Sequence, residues 1–160
     1  MVEKIFPKQF DNVYRGQWLG PGLFAFVIAV KALQSFGSLL NTREVMIAAD
    51  GIPLGAFAPA AAREAIVMFA LLGMYGLIVP LLGLLALIRY RAMVPLLILV
   101  LLATQLGGRL VNLAHPTTSA GASGGTPFGF YINTGLILVT ILALGLSIVS
   151  RKARGALEIA

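Results

Sequence analysis

The chain contains four long apolar runs separated by polar segments, and these runs predict its main helices. The runs extend from about Pro21 to Leu40, Ala65 to Ile88, Pro95 to Leu113 and Phe130 to Ser150. About 20 apolar residues suffice for a helix to cross the hydrocarbon core of a bilayer. A helix also satisfies its own backbone hydrogen bonds there, where no water is present. The pattern predicts an all-α integral membrane four-helix bundle, formed as a single transmembrane domain by residues 1–160.

Lysine and arginine are concentrated on one side of the predicted membrane. That side carries Lys4, Lys8, Arg15, Arg89, Arg91, Arg151, Lys152 and Arg154. The other side carries only Arg43 and Arg63, while Lys31 and Arg109 lie within spans. The positive-inside rule therefore predicts an N-in/C-in topology, with both termini in the cytoplasm and the spans in the inner membrane. The net charge of +6 is the excess of 12 basic residues over 6 acidic ones. It does not indicate a nucleic-acid partner, because the basic residues lie at membrane edges.

The N-terminal segment has a helical pattern of its own. Its polar side is Lys4, Lys8, Asp11 and Arg15, and its apolar side is largely Phe6, Phe10, Val13 and Tyr14. This spacing predicts a short amphipathic interfacial helix that begins near Pro7 and lies on the inner membrane surface. The alternative is an unstructured basic tail.

Two predicted outer loops differ in character. In the first, 41–63, Asn41 and Glu44 have the spacing of a capping box, which predicts a short helix up to Ala49, followed by a turn at Asp50-Gly51. We expect this loop to anchor at the membrane interface; a lid over the bundle is the alternative. The second, 115–129, is rich in glycine, serine and threonine and is typical of a flexible connector.

Composition excludes several kinds of chemistry. Only 11% of the residues are charged, against about 25% in soluble domains. The chain has no cysteine, which excludes disulfides, thiolate metal sites and iron–sulfur clusters. Its one histidine, His115, is interpreted as a surface residue. We therefore expect no metal site, no cofactor and no catalytic residues, and an intramembrane enzyme is the less favoured alternative.

Polar residues recur on one face of each span. They are Lys31, Gln34, Ser35 and Ser38 in the first, Glu64 and Tyr75 in the second, Gln105, Arg109 and Asn112 in the third, and Asn133 and Thr140 in the fourth. An ionisable group in the membrane costs about 2.5–3.5 kcal/mol on insertion scales, so such residues normally face the bundle interior. The predicted orientation places most of them in the outer half. We therefore expect one polar cavity that opens outward.

The predicted ligand-binding residues carry an unbalanced charge. They are Lys31, Gln34, Glu64, Tyr75, Gln105, Arg109, Asn112 and Asn133. Two cations face one anion, with Asp50 able to reach in from the loop. A net positive cavity would attract a lipid phosphate, a carboxylate or a quinone carbonyl. Alternatively, Lys31 is uncharged, or the cluster is structural, with an Arg109–Glu64 ion pair and with Lys31 held by Gln105 and Tyr75.

Glycines and one proline are expected to shape the spans. The glycines are Gly73, Gly76 and Gly83 in the second span, Gly107 and Gly108 in the third, and Gly135 and Gly145 in the fourth. They predict close approach between helices. Pro80 should kink the second span and leave the Gly76 carbonyl without its helical partner.

The second and third spans share a further pattern, formed by Glu64, Gly73, Gly76, Arg89, Arg91 and Gly108-Arg109-Leu110. This pattern resembles that of the DoxX-like group of small four-helix bacterial membrane proteins. That group has an acid that opens the second span, glycines within it, a short basic inner loop and a Gly-Arg-Leu near the end of the third span. It implies the four-helix fold and, for some members, a link to membrane redox systems. Asn133 stands where some relatives carry an acid, and the first outer loop is longer here.

Two functions fit these observations. The first is a small non-enzymatic membrane protein that binds a lipid-like, quinone-like or anionic ligand in the polar cavity. The second is a structural or accessory subunit of a larger membrane complex, with membrane-protein partners or further copies of itself. Co-purified polypeptides would indicate the second, and a small bound molecule the first.

Overall fold

In a computed structural model, which describes residues 5–7, 9, 11–115 and 127–149, the chain forms an up-and-down bundle of helices. The helices are α1 (Leu19–Leu40), α2 (Thr42–Ala48), α3 (Pro59–Gly76), α4 (Ile78–Arg89), α5 (Val94–Ala114) and α6 (Phe128–Ile148), with 3₁₀ turns at Leu54–Ala56 and Arg91–Met93. Four stretches are long and apolar enough to cross a membrane: Leu19–Leu40, Pro59–Arg89, Arg91–Ala114 and Phe128–Ile148. The predicted all-α four-helix bundle is confirmed, and the chain is a multi-pass membrane protein.

The buried core lies towards one end of the bundle. It comprises Phe24, Val27, Ile28, Ala86, Val94, Leu97, Ile98, Leu101, Leu136 and Ala143. These residues come from the first half of α1 and of α5, from α4, and from the middle and second half of α6. We call this the inner end, following the orientation that the basic residues predict. Helix α3 contributes no residue to this core, and its one buried residue is Gly73.

Glycines bring the second span against α1. A Cβ at Gly73 would lie 2.9 Å from the Leu39 nitrogen and the Ser35 carbonyl oxygen, and one at Gly76 would lie 2.6 Å from Ser35 Oγ. Gly83 is similarly close to the Phe24 ring, at 2.9 Å. The predicted close approach is therefore confirmed in this span.

The predicted glycines of the third and fourth spans do not lie at helix contacts. Nothing lies within 4 Å of a Cβ built at Gly107, Gly108, Gly135 or Gly145. The expectation of close packing was wrong for these positions. Spacing along a helix cannot distinguish a packed face from one turned towards lipid.

The second span is broken into two helices. Helix α3 ends at Gly76 and α4 begins at Ile78, with Leu77 between them. Pro80 has no N–H to donate to the Gly76 carbonyl, which accounts for the interruption between α3 and α4. The helix of this span begins at Pro59, ahead of the apolar run, because proline is favoured in the first turn of a helix.

The N-terminal segment crosses the inner end of the bundle as an irregular strap. The predicted amphipathic helix was wrong for residues 11–17, because these residues are not helical. The Asp11 carbonyl accepts a hydrogen bond from the Ala92 N–H, and the Gln17 N–H donates to the Leu146 carbonyl. The Tyr14 hydroxyl donates to Ser147 Oγ at 2.8 Å. Burial raises the pKa of this phenol. Residues 1–4, 8 and 10 lie outside the described residues.

Local chemistry explains why the N-terminal spacing was misleading. Asp11 Oδ1 accepts a hydrogen bond from the Val13 N–H, which is a turn typical of aspartate. Asp11 and Arg15 form an ion pair at 2.8 Å. Asp11 and Arg15 are therefore four residues apart, as in a helix, but they form their ion pair in a non-helical segment.

The first outer loop folds over the bundle. Met46 and Leu54 are buried, and the Ile52 N–H donates to the Met46 carbonyl. The short helix and the turn at Gly51, which has a φ of 65°, are confirmed. The capping box was wrong, because no side chain caps this helix. Parts of the loop therefore pack on the bundle, while Phe57 is exposed; the lid stays a prediction.

Candidate functional site

A cavity of about 680 Å³ lies between the helices in the outer half of the bundle. Every span contributes to it. Its predicted polar lining residues are Lys31 and Gln34 from α1, Tyr75 from α3, Gln105 from α5 and Asn133 from α6. The polar faces that the sequence placed on four separate spans thus meet around one space.

Lys31 and Asn133 form the polar centre of the cavity. The Lys31 ammonium donates a hydrogen bond to Asn133 Oδ1 at 2.7 Å, which joins α1 to α6. Gln34, Ser35 and Ser38 follow Lys31 on the same side of α1 and also line the cavity. The expectation that Gln105 and Tyr75 hold Lys31 was wrong, because its partner is Asn133.

Gln105 belongs to the wall between α5 and α6. Its amide nitrogen donates to Thr140 Oγ1 at 3.3 Å, and the Thr140 hydroxyl also bonds the Leu136 carbonyl at 2.7 Å. Thr140 is buried, so this contact fixes α5 against α6 beneath the cavity. A long amide at this position provides both a helix contact and a polar cavity wall.

The carboxylate of the cavity is Asp50, which comes from the outer loop. Asp50 lines the cavity together with Val45 and Ala49, and burial raises the pKa of its carboxyl. None of the described carboxylates lies within ion-pair distance of Lys31. A cation and an acid therefore face the same space without neutralising each other by direct contact.

Glu64, Arg109 and Asn112 do not line the cavity. Glu64 and Asn112 are exposed. The expected Arg109–Glu64 ion pair does not form; the ion pair recorded within residues 11–115 and 127–149 is Arg15–Asp11. The reason is geometric. Helix α3, which carries Glu64, packs against α1, whereas the Arg109 side chain contacts α6.

Arg109 connects the outer ends of α5 and α6. One of its guanidinium nitrogens donates to the Phe130 carbonyl at 2.9 Å and to Thr134 Oγ1. The guanidinium carbon lies 4.0 Å from the centre of the Phe130 ring, a cation–π distance. Arg109 is therefore placed as a clamp between two helices.

Sequence reasoning missed several lining residues. Thr104 stands next to Gln105, while Gly129, Val45 and Ala49 come from the loop side of the cavity. Gly129 is tied to the loop because its N–H donates to the Ala49 carbonyl at 3.1 Å. No periodic pattern marks these positions. Only Asp50 could be anticipated, as the acid nearest to the spans.

The described part of the chain offers little support for a metal site or for chemistry at the histidine. Across 11–115 and 127–149 there is no group of three or more histidine and acidic side chains that could hold a metal ion. His115 is exposed at the end of α5. The rest of the second predicted outer loop, 116–126, lies outside the described residues.

Comparison with known protein families, curated proteins and solved structures finds no match to this chain. The resemblance to DoxX-like proteins therefore stays a prediction from the sequence.

Proposed function

We propose that this protein binds a small lipid-like, quinone-like or anionic ligand in the cavity of its outer half. The observation that carries the proposal is the convergence of Lys31, Gln34, Tyr75, Gln105 and Asn133 around one space of about 680 Å³. Ligand sites are typically concave, largely apolar and equipped with a few convergent polar groups. An ionisable residue inside a membrane is also more often functional than incidental.

The polar centre determines what such a ligand would contact. The Lys31 ammonium has further donors besides the one used on Asn133, since an ammonium carries three N–H groups. Phosphate, carboxylate and quinone carbonyl oxygens all accept such bonds. We infer binding rather than catalysis, and we place the protein in a bacterial inner membrane, in keeping with the positive-inside pattern and the DoxX-like resemblance.

Native mass spectrometry in mild detergent tests this proposal. We expect the wild-type protein to carry a discrete small added mass, and Lys31→Met to lose it because the ammonium is gone. Arg63→Gln removes an equal charge from an exposed position outside the cavity and should keep the added mass. An added mass that persists unchanged in Lys31→Met would contradict the proposal.

The second candidate function is an accessory subunit of a membrane complex. It is favoured by the unfilled space beside Gly135 and Gly145 on α6, where another helix could approach closely. In the same experiment it predicts additional polypeptide masses at a fixed stoichiometry. That result would make the polar cavity a structural feature of a larger assembly.

A further inference from the structure

The cavity reaches the side of the bundle between α3 and α5. Leu72 and Tyr75 on α3 line it, yet their side chains are 66% and 59% exposed. Met68 lies one turn before Leu72 on the same face and is 65% exposed. Thr104 on α5 also lines the cavity and is exposed. In a membrane-spanning bundle, side chains exposed at this depth face lipid.

The break in the second span explains this opening. Helix α3 leans on α1 through Gly73 and Gly76, whereas α4 packs against α5 below it. Helices α3 and α5 themselves make little contact. The helix is interrupted at Leu77, just before Pro80. The outer half of the bundle is therefore open between α3 and α5, while its inner half is closed.

The outer end of the cavity is partly covered. Val45, Ala49 and Asp50 form its wall on that side. The hydrogen bond from the Gly129 N–H to the Ala49 carbonyl ties this wall to the start of α6. A route from the outer water phase therefore passes a folded loop, whereas the route from the bilayer meets only the gap between two helices.

Charge complementarity indicates what would use this route. Within the described residues, the Lys31 ammonium is bonded to the neutral amide of Asn133 and has no carboxylate partner. An anionic group could pair with it inside the cavity. The apolar residues along the gap, Met68 and Leu72, suit a hydrocarbon chain attached to that group.

We propose that the ligand is a long-chain amphiphile with an anionic head, and that it enters from the bilayer between α3 and α5. The head pairs with Lys31 and Asn133, and the chain lies in the gap against Leu72. This inference rests on the proposed function, since it names the ligand class and the entrance of the same cavity.

The test uses wild-type protein in phosphatidylcholine vesicles. The probe is palmitic acid with a photoreactive diazirine close to its carboxylate. After illumination, mass spectrometry compares labelling at Lys31 and Asn133 with the background at Leu84, Leu85 and Ile88, which are exposed residues of α4 that do not line the cavity. We expect labelling above background at Lys31 and Asn133. Excess inorganic phosphate in the water phase should not displace it, whereas displacement would assign the site to a soluble anion and contradict the proposal.

Two glycine variants test the entrance. Gly108 lies one turn beyond Thr104 on the same face of α5, and nothing lies within 4 Å of its Cβ position. Gly108→Leu should therefore fold normally, obstruct the gap and lose most of the labelling at Lys31. Gly145→Leu, also in open space but near the inner end of α6, is the matched control and should label like the wild type.

The possible failures are distinguishable. Wild-type labelling in Gly108→Leu, or equal loss in both glycine variants, would overturn the entrance between α3 and α5. Absence of labelling above background in the wild type would overturn the anionic amphiphile as ligand. Labelling that persists in Lys31→Met would overturn the proposed function itself.

Discussion

Replacing Gly73 with alanine is expected to destabilise the bundle by roughly 1–3 kcal/mol, the usual cost of forcing extra atoms into a packed contact. The added methyl would lie 2.9 Å from the backbone of Leu39 and of Ser35. Backbone atoms cannot move aside as a side chain can, so α1 and α3 must separate. The measurement is thermal unfolding followed by circular dichroism in detergent, where the midpoint should fall by several degrees.

The matched control for this prediction is Gly135→Ala. Nothing lies within 4 Å of the Cβ position at Gly135. Alanine also favours a helix over glycine by up to about 1 kcal/mol. The control should therefore melt at or slightly above the wild-type midpoint. If Gly73→Ala melts like the control, the close contact between α1 and α3 is not present.

Replacing Arg109 with alanine is expected to lower stability by roughly 2 kcal/mol, because hydrogen bonds from a charged donor contribute about 1.5–3 kcal/mol and this side chain is partly exposed. The variant loses the bonds to Phe130 and Thr134 and the contact with the Phe130 ring. Arg109→Lys should recover only part of the loss, since an ammonium lacks the planar fork of a guanidinium. Thermal unfolding in detergent measures both variants.

The same variants separate a clamp from a ligand contact. A clamp predicts that Arg109→Ala melts earlier but still retains the small added mass in native mass spectrometry. Loss of that mass with an unchanged melting midpoint would place Arg109 in the binding site and contradict the clamp.

The fold could be predicted from the sequence because each span carries its own signal in length and hydropathy. The faces could be predicted as well: Lys31 and Gln34 on α1, and Asn133 on α6, do meet at the cavity. Helical spacing determines which residues share a face, and the cost of a charge in lipid turns that face inward.

The pairing of helices could not be predicted in the same way. Glu64 and Arg109 are predicted to lie at the same depth in the membrane. However, α3 packs against α1 and Arg109 contacts α6, so the two side chains do not meet. That packing depends on close backbone contact at Gly73, which a one-dimensional pattern does not specify. The strap at Tyr14 and the cavity wall at Asp50 also arise from contacts between distant segments.

The central claim is that polar residues of the spans face one cavity rather than lipid, and single-cysteine labelling tests it most directly. The natural chain has no cysteine, so each introduced thiol reports alone. Maleimide reacts with the thiolate form of cysteine. A thiolate forms where water reaches the side chain, but not where the side chain contacts lipid. Gln34→Cys lies on the cavity side of α1, and Phe36→Cys lies on the exposed side of the same helix at nearly the same depth.

We predict that N-ethylmaleimide added to membranes labels the cysteine at position 34 and leaves the one at position 36 largely unmodified. Gln105→Cys and Leu106→Cys on α5 form a second pair with the same expectation. Equal labelling within both pairs, or labelling only of positions 36 and 106, would contradict the cavity.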